Sequence, residues 1–318
     1  MSYLEIKSGI NGDYVSFVKK ISLMGGHFLI KRHIGKNLPT ISKEKYLMDN
    51  IESLTEMEFS FRKKFICDIM DKISYSEELP FGTERKSIKI NNLMEAKACH
   101  DIIYSEFAKE FIFNSNNIEG SKIPREKVLE IIDRGDTKYK NRNEVREVLN
   151  SVKAFDYIRK GFKFNIPSVK RLYYILTDGL SMENGEAYPK GFKQIPNIIG
   201  NSPTAAPECV ENELNNLLKW HRSSAGKVHP LILAFDFHKK YEYIHPFLDG
   251  NGRTGRLIMN KILISGGYFP VIVFNENKLS YFNSIQKARQ DNGKKYYKFM
   301  LSQADKTYDL ILNVLQKY

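Results

Sequence analysis

Apolar side chains recur at helical spacing through most of this chain, and the exception lies at its beginning. Tyr14-Val15-Ser16-Phe17-Val18 and His27-Phe28-Leu29-Ile30 flank Met24-Gly25-Gly26. Strand formers on both sides of a glycine break predict a β-hairpin. Asn37-Leu38-Pro39-Thr40 reads as a loop. From Lys43 to Ile73 the residues Ile51, Leu54, Met57, Phe61, Phe65, Ile66 and Ile69 keep a helical period. Asn92 to Phe111 carries Leu93, Ala96, Ala98, Ile103, Phe107 and Phe111, and ends in the polar run Asn114-Ser115-Asn116-Asn117. Arg125 to Ile132 and Glu144 to Tyr157 form two further segments, divided by Arg134-Gly135-Asp136, and Val169 to Leu180 forms another.

Pro230 suits the first position of a helix whose stripe is Leu231, Ala234, Phe235 and His238. Leu257, Ile258, Ile262 and Leu263 continue a later helix that stops at Gly266-Gly267, and Tyr297 to Leu315 is again amphipathic. Between Leu180 and Val210, Tyr188 to Gly200 holds prolines and glycines that disfavour helix, which predicts a long structured loop. The pattern therefore predicts a mainly α fold. A small extension over residues 1–80, with its hairpin and helix, precedes a helical domain over 81–318. No repeat or low-complexity tract interrupts it.

Length and composition fit this picture, since 318 residues with 42% hydrophobic content can bury a substantial core. No apolar run approaches the ~20 residues that cross a bilayer. The N-terminus lacks a basic lead followed by an apolar stretch, so the expected compartment is the cytoplasm. Cys67, Cys99 and Cys209 are far apart and form no Cys-x-x-Cys pair, which argues against a zinc site or a disulfide framework. The net charge of +12 admits acidic partners. The lysines are scattered and no DNA-reading motif is present, so nucleic acid is not the expected partner.

One segment changes the picture from fold to chemistry. His245-Pro246-Phe247-Leu248-Asp249-Gly250-Asn251-Gly252-Arg253-Thr254-Gly255-Arg256 joins two predicted helices. A neutral imidazole takes a proton near pH 7. One carboxylate suffices for Mg²⁺, which draws its other ligands from water and phosphate oxygens. Gly250 and Gly252 let backbone N–H groups approach an anion. Arg253 and Arg256 share one face of the following helix, near the end where its dipole favours negative charge. A hairpin turn at Asp249-Gly250-Asn251-Gly252 is disfavoured by the helical flanks. A calcium loop fails because Arg253 and Asn260 stand at ligand positions. Seven chemical residues in register read as a phosphate-and-metal cradle beside a base. His238 is expected to be a packed core histidine.

The segment is similar to the signature of the Fic family, His-Pro-Phe-x-(Asp/Glu)-Gly-Asn-Gly-Arg-x-x-Arg, at every specified position. The resemblance runs from about Asn92 to the C-terminus and is looser outside the signature loop 245–256. It implies a Fic-type helical core and transfer of AMP from ATP to a Ser, Thr or Tyr hydroxyl of a target protein. By this resemblance His245 is the base and Asp249 the Mg²⁺ ligand. Asn251, with the amides of Gly250 and Gly252, would hold the α-phosphate, Arg253 the β-phosphate side and Arg256 the γ-phosphate. Ser115-Asn116-Asn117-Ile118-Glu119-Gly120 matches the family's inhibitory pattern (Ser/Thr)-x-x-x-Glu-(Gly/Asn). An inhibitory helix at about 92–120 would then present Ser115 and Glu119, with Glu119 pairing Arg256 by the bidentate geometry a phosphate would use.

The loop at about 186–205 corresponds to a β-hairpin flap that pairs with the target's main chain. Tyr281 and Phe282 fall where relatives stack the adenine ring, and Arg289 stands where several relatives carry Asn. The expected partners are ATP and a target protein, with a homodimer allowed and no membrane. Two other readings remain open. One is removal of AMP from a modified protein by Glu119 and the same site. The other is a non-catalytic nucleotide-binding adaptor, which the intact signature opposes.

Overall fold

The computed structural model describes residues 2–36, 41–73, 78–182, 185–199, 202–289 and 293–318. Three antiparallel strands, β1 (Ser2–Gly9), β2 (Gly12–Leu23) and β3 (Gly26–Lys36), form a sheet in that order. Met24 and Gly25 make the β2–β3 turn, both at positive φ, as a tight hairpin with right-handed twist requires. The predicted hairpin is present and longer than its apolar cores suggested, and β1 adds a strand that the pattern did not show. Ile21, Leu23 and Ile30 enter the main core, while Phe17 packs with Tyr46, Leu47, Leu54 and Ala96.

The helix expected over 43–73 is two helices, α1 (Lys43–Asp49) and α2 (Ile51–Ile73). Ser42 caps the first by accepting from the Lys45 N–H, and Asn50 breaks it while its side-chain amide donates to the Tyr46 carbonyl. Residues 92–96 end α3 (Glu78–Ala96), and Ala98 turns the chain at φ +50° before α4 (His100–Ile118). The helix expected at about 92–120 therefore begins at His100.

Helix α3 packs against α2 and also against the last helix, α12 (Lys294–Leu315). It carries one end of a buried polar chain. Lys19 of β2 pairs with Glu58, Arg62 bonds Glu58 and Glu84, and the Tyr268 hydroxyl donates to Glu84 at 2.8 Å. Burial alone would raise the Glu84 carboxyl, but His229, Arg62 and Tyr268 outweigh it and hold it at about 2. This chain stitches the N-terminal extension to the helical core.

The core is built from α5 (Arg125–Arg134), α6 (Arg142–Lys160), α7 (Ile166–Thr177), α8 (Val210–Ser224), α9 (Pro230–Ile244), α10 (Asn251–Ser265) and α11 (Lys278–Lys287). Asn141 and Asn165 cap α6 and α7 with their side chains, and Gly135 ends α5 at φ +66°. Helix α10 is central, with every residue from Asn251 to Asn260 buried. The fold is mainly α. The flap region holds two short paired strands, β4 (Ile198–Ile199) and β5 (Ser202–Pro203).

Candidate active site

Helix α9 ends at Ile244, and His245 follows in the left-handed region at φ +50°, its N–H still donating to the Tyr241 carbonyl at 2.9 Å. That sharp exit suits a residue before proline, which is disfavoured in the helical region. Phe247 plugs the loop into the core by stacking on Tyr173, with centroids 3.9 Å apart. Asn251 clamps the same residue, accepting from the Phe247 N–H and donating to its carbonyl, both at 2.8 Å. The Asn251 side chain therefore shapes the loop, and only its backbone is left to face a phosphate. Gly250 stands at φ +74° before α10, whose first turn receives no side-chain cap. Uncapped N–H groups at a helix start make a site for an anion.

Arg253 and Arg256 project from this turn and are 2% and 1% exposed. Each is tied to a carboxylate from another helix. Arg253 Nη1 donates to Glu147 of α6 at 2.9 Å. Arg256 Nη2 donates to Glu119 at 2.7 Å and to the Ser115 carbonyl at 2.9 Å, while Nε donates to Ser115 Oγ at 3.0 Å. Burial opposes charge on Arg256, and Glu119 beside it, with other neighbours, raises the group above its ordinary value. Burial pushes the Glu147 carboxyl up, and Arg253 only partly offsets it. A Cβ on Gly252 would lie 2.2 Å from Glu119 Oε1 and 2.9 Å from Arg256 Nη1. Glu119 thus rests against the first turn of α10, where an anion would bind, because residue 252 has no side chain.

Asp249 lies at the open side, its side chain half exposed at 50%. It accepts from the Gly250 N–H at 2.5 Å and from the Tyr188 hydroxyl at 2.8 Å. Burial, and then the Asp249 charge, push that phenol up to about 12. A single accessible carboxylate beside an anion site fits Mg²⁺ shared with phosphates. Among the described residues no group of three or more His, Cys, Asp or Glu gathers for a metal.

The flap region is fastened to the loop. Lys193 N–H donates to the Pro246 carbonyl at 2.9 Å, and the Asn197 amide donates to the Phe247 carbonyl at 2.9 Å. Tyr281 is turned inward and 1% exposed, with its hydroxyl 2.6 Å from His238 Nε2. Its ring is a core element and not a base-stacking face, so of the aromatic pair only the partly buried Phe282 is left for that role. Arg289 lies over Tyr243 and donates to the Pro203 carbonyl at 2.6 Å, tying the end of α11 to the flap.

Residues 163–263 match the model of the Fic/DOC family. They form a Fic/DOC domain. A protein adenylyltransferase Fic of Nematostella vectensis is 27% identical over 256 residues, covering 77% of this chain and 56% of that protein. One of the same name from Drosophila mojavensis is 28% identical over 216 residues, covering 64% and 41%. The chain spans about half the length of the curated relatives it matches. A Fic-domain-containing signaling protein of Bacteroides thetaiotaomicron shares the fold at a TM-score of 0.65 and 20% identity, covering 74% of this chain and 97% of that one.

The Fic/DOC match begins just before α7 and ends within α10. It holds the whole signature, while α4 with Ser115 and Glu119, α6 with Glu147, and the aromatic pair of α11 lie outside it. The fold nevertheless brings Ser115, Glu119 and Glu147 to the signature arginines, and it packs Tyr281 inward with its ring centroid 6.0 Å from the Arg256 guanidinium. Two carboxylates escaped the sequence reading. Glu147 comes from a helix remote in sequence and gave no local signal. Glu242, three residues before His245, shares its helical face and was legible in principle.

Proposed function

We propose that the Fic/DOC domain of this chain transfers AMP from ATP to a Ser, Thr or Tyr hydroxyl of a protein, and that Glu119 restrains it. The observation that carries this reading is the pairing of Glu119 with Arg256 against the uncapped start of α10, one loop away from His245. The names of the relatives support the reaction class. His245 accepts the hydroxyl proton, the oxygen bonds to the α-phosphorus, and the bond to the β-phosphate breaks to release pyrophosphate. The N–H groups of Asn251 and Gly252 and the Arg253 guanidinium stabilise the charge that develops, while the Gly250 N–H stays with Asp249. Mg²⁺, when held through Asp249, would neutralise charge on the phosphates. Arg256 binds the γ-phosphate once Glu119 has left it.

Incubation of the chain with α-labelled ATP and Mg²⁺ tests this, with weak labelling of wild type and strong labelling of Glu119→Gly. Equal labelling of both would remove the restraint from the account. The 24% exposure of the Glu119 side chain also favours a second use, holding a water that removes AMP from a modified protein. Release of label from adenylylated protein in Mg²⁺ without ATP, lost in Glu119→Gly, reads that reaction.

A further inference from the structure

Glu242 is a buried carboxylate for which the reaction above assigns no task. It is 5% exposed, and its ion-pair partners among the described residues are two imidazoles, with no lysine or arginine in contact. Its Oε1 lies 3.7 Å from His238 Nδ1 and its Oε2 lies 3.6 Å from His245 Nδ1. Oε1 and both of those ring nitrogens are buried without a hydrogen-bond partner. Leaving a carboxylate in such a place is unfavourable unless a partner uses it. His238 is a poor candidate for that use. Its other nitrogen is engaged by Tyr281, and burial pushes its ring down to about 4. His245 is the partner that remains.

A second observation comes from the opposite helix. A Cβ on Gly255 would stand 2.8 Å from Glu242 Oε1 and 3.0 Å from His238 Nδ1. A glycine inside a helix is less favourable than an alanine. Here it leaves the space that the carboxylate fills.

We propose that Glu242 is the positioning residue of His245, accepting from its Nδ1–H so that the Nε2 lone pair faces the incoming hydroxyl. This rests on the adenylyl-transfer reading for its purpose, though not for its geometry. The spacing of three residues puts both groups on one face of α9 and its exit turn. A carboxylate on one ring nitrogen fixes the tautomer and stabilises the imidazolium formed when the other nitrogen takes a proton. Burial raises the Glu242 carboxyl, but the contact with His245 and the charges of His238, His245 and Arg256 outweigh it and hold the group below its usual range. The titratable groups facing Glu242 are His238, Tyr241 and His245 on its own helix and turn, Arg256 of α10, Tyr281 of α11 and Tyr296 of α12.

The test is a proton–nitrogen NMR titration of the full chain labelled at histidine nitrogens, with His245 assigned by its loss in His245→Ala. The neutral His245 ring should carry its proton on Nδ1. Its titration midpoint should fall by about one pH unit in Glu242→Gln, because the neighbouring negative charge is gone. Gly255→Ala, whose Cβ displaces the carboxylate, should move the midpoint the same way. A proton on Nε2 in the wild type would overturn the proposal without any variant, and so would an unmoved midpoint in folded Glu242→Gln. In the Glu119→Gly background, Glu242→Gln should lower kcat by about 10- to 1000-fold and leave the KM for ATP unchanged. In a His245→Ala background it should have no further effect, and an additive loss there would mark a structural role. Absence of all labelling in Glu119→Gly would sink the transfer reading and leave the NMR result to judge Glu242.

Discussion

His245 holds a left-handed backbone that costs a residue with a side chain about 1–3 kcal/mol, and the turn brings its ring back beside Glu242. Replacement by Ala removes the proposed base and no proposed phosphate contact. His245→Ala should therefore lower transfer by ~10²–10⁴-fold and leave ATP affinity, read by calorimetry, nearly unchanged. Transfer at the wild-type rate would end the base assignment. Asp249→Ala should abolish the Mg²⁺-dependent transfer, and chelation of wild type should mimic it. Activity undiminished in excess EDTA would contradict the metal role. Most of the residues proposed for this chemistry were legible because one short segment holds them. Asn251 was legible as a residue and not as a role, since its amide finds Phe247 only once the loop closes. Tyr281 was misplaced for a similar reason. Its position on α11 was readable, but the packing of α9 decides that the ring points at His238.

Helix α4 reaches the site through Ser115 and Glu119, both on Arg256 of α10. Glu119→Gly frees that guanidinium, and labelling from α-labelled ATP should rise by roughly tenfold, a barrier change of only ~1.4 kcal/mol. The same change leaves a buried arginine without its ion-pair carboxylate, so the Tm should drop. The stability loss should be about 1–3 kcal/mol, less than for a fully buried pair because Glu119 is partly exposed. A Tm equal to wild type would show that the pair contributes nothing to the fold. The glycine stops and apolar stripes that mark most helices were visible in the sequence. The break between α3 and α4 was not, because Ala98 at positive φ carries no sequence signal and is imposed by packing on either side. Strand β1 was hidden as well, since it becomes a strand by pairing with β2 and keeps a largely exposed outer surface.

Across the whole molecule, buried neutral histidines set how stability responds to acid. Burial pushes His221, with some help from Arg222, and His238 down to about 4. The unfolded chain binds protons at these groups below about 6.5 while the folded chain does not. Stability should therefore be complete above about 6.5 and be lost as pH falls towards 4, by a few kcal/mol for each histidine. Glu84, held at about 2 in the folded state, adds a second loss that begins only below its unfolded value near 4.5. The Tm followed from pH 8 to pH 3 should decline from about 6.5, and His238→Gln should flatten the upper part. A flat profile between 6.5 and 4.5 would contradict the burial of neutral rings. The central claim is that His245 and the α10 start transfer the α-phosphoryl group with its adenosine. It is tested most directly by incubating Glu119→Gly with ATP labelled at either the α- or the γ-phosphate. The account predicts stable labelling of protein from α-labelled ATP alone, absent when His245→Ala is added. Label retained from the γ-phosphate, or α-label persisting without His245, would contradict it.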